Sequence, residues 1–201
     1  MTFSNTQINK LKQFVGLDNY EIIFDSDIME MTRLSFVKSI EGRKDIAIVI
    51  INNYNHIYGC YQKLTIKHAQ NLPQNGYITN HNYCVDPYHF IFSLLSDSIP
   101  PTKWMKVPTP QMVLNQIKIM DTLEILPTNS NQLDDYIFCV AHAFGFWKPQ
   151  LNEEESAYTF FRLNEAYINP PTHLELTGIN QSKPGCNTYS KITRLLVIQF
   201  Y

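Results

Sequence analysis

Ile46-Ala-Ile-Val-Ile-Ile51 constrains the fold of this chain more than any other stretch. Its six residues are all aliphatic, rich in β-branched side chains, and far short of the ~20 needed to cross a bilayer. Such a run forms a strand covered on both faces. Asn52-Asn53-Tyr54-Asn55 supplies a turn and His56–Gln62 returns, so residues 45–62 read as a hairpin deep in a sheet assembly. Ile192–Phe200 is a second strand of this type, with Leu195–Ile198 apolar on both faces. Strands buried on both faces require helices over the outer side of a sheet.

The remaining elements fit that demand. Ser4–Thr6 offer caps, Ile8, Leu11 and Val15 make a stripe, and Gly16 ends a helix over 4–15. Tyr20–Phe24 is a short strand leading into Asp25-Ser26-Asp27. Asp27 and Glu30 have capping-box spacing for a helix over about 28–41, with Phe36, Val37 and Ile40 inward. Leu64, Ile66 and His68 continue an extended path, and residues 70–85 read as loop. In Tyr88–Leu95, alternation puts Tyr88, Phe90, Phe92 and Leu94 on one side of a strand. Trp104–Val107, Thr122–Leu126, Tyr136–Ala141 and Tyr158–Arg162 are further strands. Thr109-Pro110 opens a short helix carrying Val113, Leu114 and Ile117. Residues 148–157 read as exposed loop, and the chain around Asn169-Pro170-Pro171 as irregular. Without βαβ alternation, the pattern predicts an α+β, mainly β fold: an antiparallel β-sandwich flanked by two or three short helices. One domain is expected over 20–201, with residues 1–19 as an N-terminal helix packed on it.

Composition limits function more than it assigns it. Sixteen Lys and Arg against 18 Asp and Glu give a net charge of −2, no global field for nucleic acid. No basic-then-apolar leader opens the sequence, and no membrane insertion is expected. Cys60, Cys84, Cys139 and Cys186 are scattered, which favours free thiols in a reducing, cytoplasmic compartment.

Several groups could carry chemistry. Asp25, Ser26 and Asp27 have oxygen ligands for a hard cation, but a strand-to-helix corner accounts for them more simply. His81 with Cys84 and Cys139 with His142 make a zinc set on paper, without the glycine knuckles such sites use. A Cys/His nucleophile pair has no local signature, and phosphate-cradling glycine loops are absent from the sequence. Trp104 and Trp147 could stack on a sugar, although packing accounts for them better. The acidic run Glu153, Glu154 and Glu155 is the candidate interaction surface, on an exposed loop.

Four stretches occur in a familiar order. Ile22-Ile23-Phe24-Asp25-Ser26-Asp27 resembles the strand and Ser-Asp corner that open a TLDc domain. Ile57-Tyr58-Gly59-Cys60-Tyr61 is similar to that family's aromatic-Gly-Gly-aromatic strand. Asp86-Pro87-Tyr88-His89-Phe90-Ile91-Phe92-Ser93-Leu94 resembles its Phe-aliphatic-Phe-Ser-Leu strand, and Ile192–Gln199 its final strand. The resemblance covers about residues 20–201 and is that of a divergent member. Met29 and Glu30 stand where a glycine usually follows the corner, Cys60 replaces the second glycine, and 130–190 matches poorly. It implies a helix-flanked β-sandwich that is not an established enzyme and has no cofactor. Family members are associated with the oxidative-stress response and, in several cases, with binding the vacuolar proton-pumping ATPase (V-ATPase). No catalytic residue carries over. The resemblance thus implies a non-catalytic protein-interaction domain with a protein partner. A redox-active or metal-binding thiol protein and a carbohydrate-binding sandwich are the alternatives.

Overall fold

Ser4 and Gly16 bracket the first helix as expected. Ser4 donates its backbone N–H to Gln7 Oε1 (2.7 Å), and Gly16, at φ 79°, donates to the Lys12 carbonyl (2.7 Å). The structure is a computed structural model and describes residues 3–67, 83–107, 113–114, 117–118, 121–125, 136–147, 157–159, 163–180 and 188–201.

In chain order, the first half comprises α1 (Asn5–Val15), β1 (Tyr20–Asp25), α2 (Arg33–Ile40), β2 (Ile46–Asn52), β3 (Ile57–Gln62), β4 (Tyr83–Val85), β5 (Phe90–Leu95) and β6 (Thr102–Met105). Then come β7 (Val113–Leu114), β8 (Ile117–Lys118), β9 (Asp121–Glu124), β10 (Tyr136–Val140), β11 (Phe144–Trp147) and β12 (Ala157–Thr159). The chain closes with α3 (Leu163–Ala166), α4 (His173–Thr177), β13 (Thr188–Ser190) and β14 (Ile192–Phe200). The fold is α+β and mainly β, a sandwich of two six-stranded antiparallel sheets. The first sheet runs β1-β14-β2-β3-β5-β6, the second β13-β12-β11-β10-β9-β4.

Alternation along β2 shows why that strand must be wholly aliphatic. Ile46, Ile48 and Ile50 join the apolar layer between the sheets, where they meet Leu123, Phe138, Val140 and Phe144. Ala47, Val49 and Ile51 point the other way, into a layer shared with Ile8 and Leu11 of α1. The molecule is therefore stacked as helix, sheet, sheet. Lys103 fastens the helix, donating Nζ to the Phe14 carbonyl (2.7 Å), where a cation complements the helix C-terminus. On the flank, α2 inserts Phe36 between Phe24, edge to face at 5.8 Å, and Phe138, stacked at 4.9 Å.

Several expected elements differ. The second helix starts at Arg33, capped by Thr32 Oγ1 receiving Ser35 N–H (3.2 Å), because the Asp27 carboxylate is held elsewhere. The strand expected from Tyr88 starts at Phe90. Asp86 Oδ1 accepts Tyr88 N–H (2.8 Å) and makes a turn of residues 86–88, so Tyr88 is exposed rather than in line with Phe90 and Phe92. Its other oxygen accepts Lys63 N–H (2.5 Å) and Leu64 N–H (2.9 Å), which holds that stretch outside the sheets. Val113, Leu114 and Ile117 belong to a two-stranded ribbon, not a helix: Leu114 faces Ile117 and Val113 faces Lys118 across it. That apolar spacing suits either form. Where irregular chain was expected, through Pro171, α3 forms a single turn; α4, beyond it, was not expected and is closed by a Thr172–Glu175 capping box and by Gly178 at φ 78°. Val85 belongs to a strand in the expected 70–85 loop; residues 68–82 of it lie outside the described residues.

Candidate interaction surface

The Asp25-Ser26-Asp27 corner is built by the last strand. Arg194 interrupts an otherwise aliphatic run, and a half-buried guanidinium in such a place needs anions. It donates Nε to Asp25 Oδ1 (3.0 Å) and Nη2 to Asp25 Oδ2 (2.6 Å), a bidentate pair, and its Nε lies 3.0 Å from Asp27 Oδ2. Between the two acids, Ser26 donates its N–H to the Leu195 carbonyl (3.0 Å) and accepts Leu195 N–H on Oγ (2.9 Å). The hydrogen bond from Arg194 outweighs burial and holds the Asp25 carboxyl below its usual range. The same bond raises the Arg194 guanidinium. These oxygens are spent on a clasp between β1 and β14, and no free carboxylate pair is left for a cation.

The clasp has a consequence for the surface. The Asp25 carbonyl also accepts Ile28 N–H (3.1 Å) and Met29 N–H (2.8 Å), so the turn after the corner is fixed. On it Ile28 is 84% exposed, with Ile22 at 48% and Leu34 at 47% on the strand before and the helix after. Of these only Ile28 stands on the braced turn itself, an exposed apolar side chain on fixed backbone.

The other candidates separate. Glu153, Glu154 and Glu155 lie outside the described residues, as do His68, His81 and Cys186. Cys60 and Cys139 are buried and Cys84 is half-buried. Burial pushes the Cys60 and Cys84 thiols up, away from the reactive thiolate. Among the described residues no three His, Cys, Asp or Glu side chains are grouped to hold a metal. His142 sits at φ 63° in the turn joining β10 to β11, two residues beyond the end of the strand that carries Cys139. Trp104 is packed into the layer between the sheets, and Trp147 lies edge to face with Tyr189 at 6.1 Å. Neither forms an open stacking platform with the other.

One buried polar chain escaped sequence reasoning. His89 is fully enclosed, with Nδ1 3.2 Å from Gln62 Oε1 and Nε2 3.1 Å from the Tyr167 hydroxyl, which donates to the Ala141 carbonyl (3.3 Å). Burial drives the His89 imidazole well below its ordinary pKa and the Tyr167 phenol well above its own, so both stay neutral. This chain ties β3 and β5 to the segment after α3. Polar residues inside an apolar strand, here His89 before Phe90 and Gln62 after Tyr61, were its signal in the sequence. A groove of about 410 Å³ beside α4 is bordered by Asn164, His173 and Asn180. Compared with known proteins, the chain matches no family model and no curated protein.

Proposed function

We propose that this chain is a non-catalytic protein-interaction domain of TLDc type, acting in the oxidative-stress response or in regulation of the V-ATPase. The arrangement of the first sheet supports the reading. The four stretches that resemble the family are β1 with its corner, β3, β5 and β14, and they lie together in the order β1-β14-β2-β3-β5. The clasp joins the first of them to the last. The observation that carries the functional part is Ile28, 84% exposed on a turn braced by hydrogen bonds to the Asp25 carbonyl. A preorganised apolar contact binds without an ordering cost.

The test is capture with a tagged chain. Wild type is expected to retain V-ATPase subunits or a defined stress-response protein, and Ile28→Asp, which disturbs only an exposed side chain, is expected to lose them. Recovery of neither class of partner by the folded wild type would count against the proposal.

A further inference from the structure

The first sheet has two edges, and they are treated differently. At β6 the outer edge is occupied: Val107 donates to the Ala166 carbonyl (2.9 Å), Ile168 donates to the Met105 carbonyl (3.0 Å), and Lys106 bridges to Tyr167. At β1 the inner side is paired with β14 from Tyr20 to Asp25, and the ladder continues in the reciprocal Asn19–Tyr201 hydrogen bonds. Among the described residues, no other backbone hydrogen bond reaches residues 20–24, so β1 is an edge strand of the described sheet. Edge strands are usually protected by Lys, Pro, a bulge or a covering segment. β1 has neither Lys nor Pro, and its one such device is the bulge between Ile22 and Phe24, which leaves Tyr20–Ile22 as the regular part of the edge.

Its side chains say what could lie there. Glu21 and Ile22 are successive residues on opposite faces, yet both are exposed, which leaves this part of the strand uncovered on both sides. Ile22 is level with Ile198 on the face toward α1, and Glu21 with Gln199 on the other. The surroundings are acidic. From Gln13 to Thr32 the sequence holds five acids (Asp18, Glu21, Asp25, Asp27, Glu30) and no Lys or Arg. Three of these acids are themselves paired, Asp25 and Asp27 with Arg194 and Glu21 with Arg43, and Lys12 lies over the Tyr20 ring, so five acids against three cations leave an excess of two negative charges here.

We propose that the outer edge of β1 is a docking site for an extended, basic segment of a partner protein, which adds to the first sheet as a further strand. The inference deepens the interaction-domain reading and rests on it. Backbone pairing would supply the affinity and the alternation of β1 the specificity. Cross-strand neighbours share a face, so a Lys or Arg of the partner lies beside Glu21 and an aliphatic residue beside Ile22. The recognised pattern is therefore basic and aliphatic residues in alternation. Pairing of β1 with β1 of a second copy would bring acidic edges together, which the charges oppose.

The probe is a short fluorescent peptide of alternating Lys and Val, read by anisotropy against the full chain. A block peptide of the same composition, with the Lys and Val residues separated, is the control. Saturable binding of the alternating peptide is expected, weaker for the block peptide, and reduced about ten-fold by Glu21→Lys or Ile22→Lys. Both substituted side chains are exposed, and circular dichroism checks that the variants remain folded. No saturable binding, or equal binding of the two peptides and the variants, overturns the proposal. So does a β1-mediated dimer in light scattering that Ile22→Lys converts to monomer. If wild type captures a V-ATPase subunit and Ile22→Lys captures it equally well, this site fails while the interaction-domain reading stands.

Discussion

Gly59 is the position where one methyl group should cost most. It lies mid-strand in β3, between β2 and β5. A Cβ there would stand 1.9 Å from the Ile48 carbonyl oxygen, 3.0 Å from the Ile48 carbonyl carbon and 2.8 Å from Phe92 Cζ. Phe92 is fully buried, and the Ile48 carbonyl belongs to the central ladder, so neither yields without moving its strand. Overpacking of a core costs about 1–3 kcal/mol, and a forced backbone shift puts Gly59→Ala at the top of that range. A loss of about 3 kcal/mol is over a hundredfold in the folded-to-unfolded ratio, out of a total of roughly 5–15 kcal/mol. Gly16→Ala is the control: φ is 79° but nothing lies within 4 Å, so only the left-handed backbone penalty of about 1–2 kcal/mol remains. Urea unfolding of both variants at unchanged slope gives the comparison. Adding Phe92→Leu should restore only part of the loss, because the closer clash is with backbone. If Gly59→Ala loses no more than Gly16→Ala, the tight crossing of β2 and β3 is wrong.

Other perturbations separate the two buried polar systems and test the thiols. Arg194→Met leaves Asp25 without its bidentate partner, and a loss of about 2 kcal/mol is expected in urea melts, below the fully buried case because the pair is partly exposed. The Asp25 carboxyl is held below its ordinary value of 3.8, so the clasp contributes fully above that pH and loses its contribution as pH falls through the depressed value. The acid limb of a stability profile should therefore flatten in Arg194→Met. His89 gives a separate window. Its imidazole stays neutral when folded, whereas the unfolded chain takes up a proton below the ordinary value of 6.5, so stability falls as pH drops from there. His89→Gln should remove that slope between 6.5 and about pH 5. An unchanged slope would mean that His89 is not held neutral. Finally, a thiol reagent should label Cys60 and Cys139 only on unfolding. Rapid modification of either in the native protein would revive the redox reading.

Strong periodicity carried most of the architecture. α1, the β2–β3 hairpin and β14 stand where their apolar patterns put them, because burial on one face or two decides those segments locally. The failures have local causes as well. Asp27 looks like a helix cap, but its carboxylate is drawn to Arg194 on a strand at the opposite end of the chain, and nothing near residue 27 announces that. Tyr88 continues the aromatic alternation of β5 on paper, while the Asp86 side chain folds it into a turn. The Thr172–Glu175 capping box was readable, yet no element was expected after the prolines that precede it. The contact surface was the least legible part. An acidic loop draws attention by its charge, whereas Ile28 reads as one more apolar residue until the clasp leaves it in solvent. The lone cation in the Ile192–Phe200 run was the available signal.

The proposed activity is binding of a protein partner through the surface beside the Asp25–Arg194 clasp. The most direct measurement is equilibrium binding of the purified chain to the peripheral sector of a V-ATPase, with wild type and Ile28→Asp compared at equal folded fraction. Saturable binding by wild type and a loss of about ten-fold or more for Ile28→Asp are expected, the scale of one apolar anchor. Absence of binding by folded wild type, or equal binding by the variant, would contradict it.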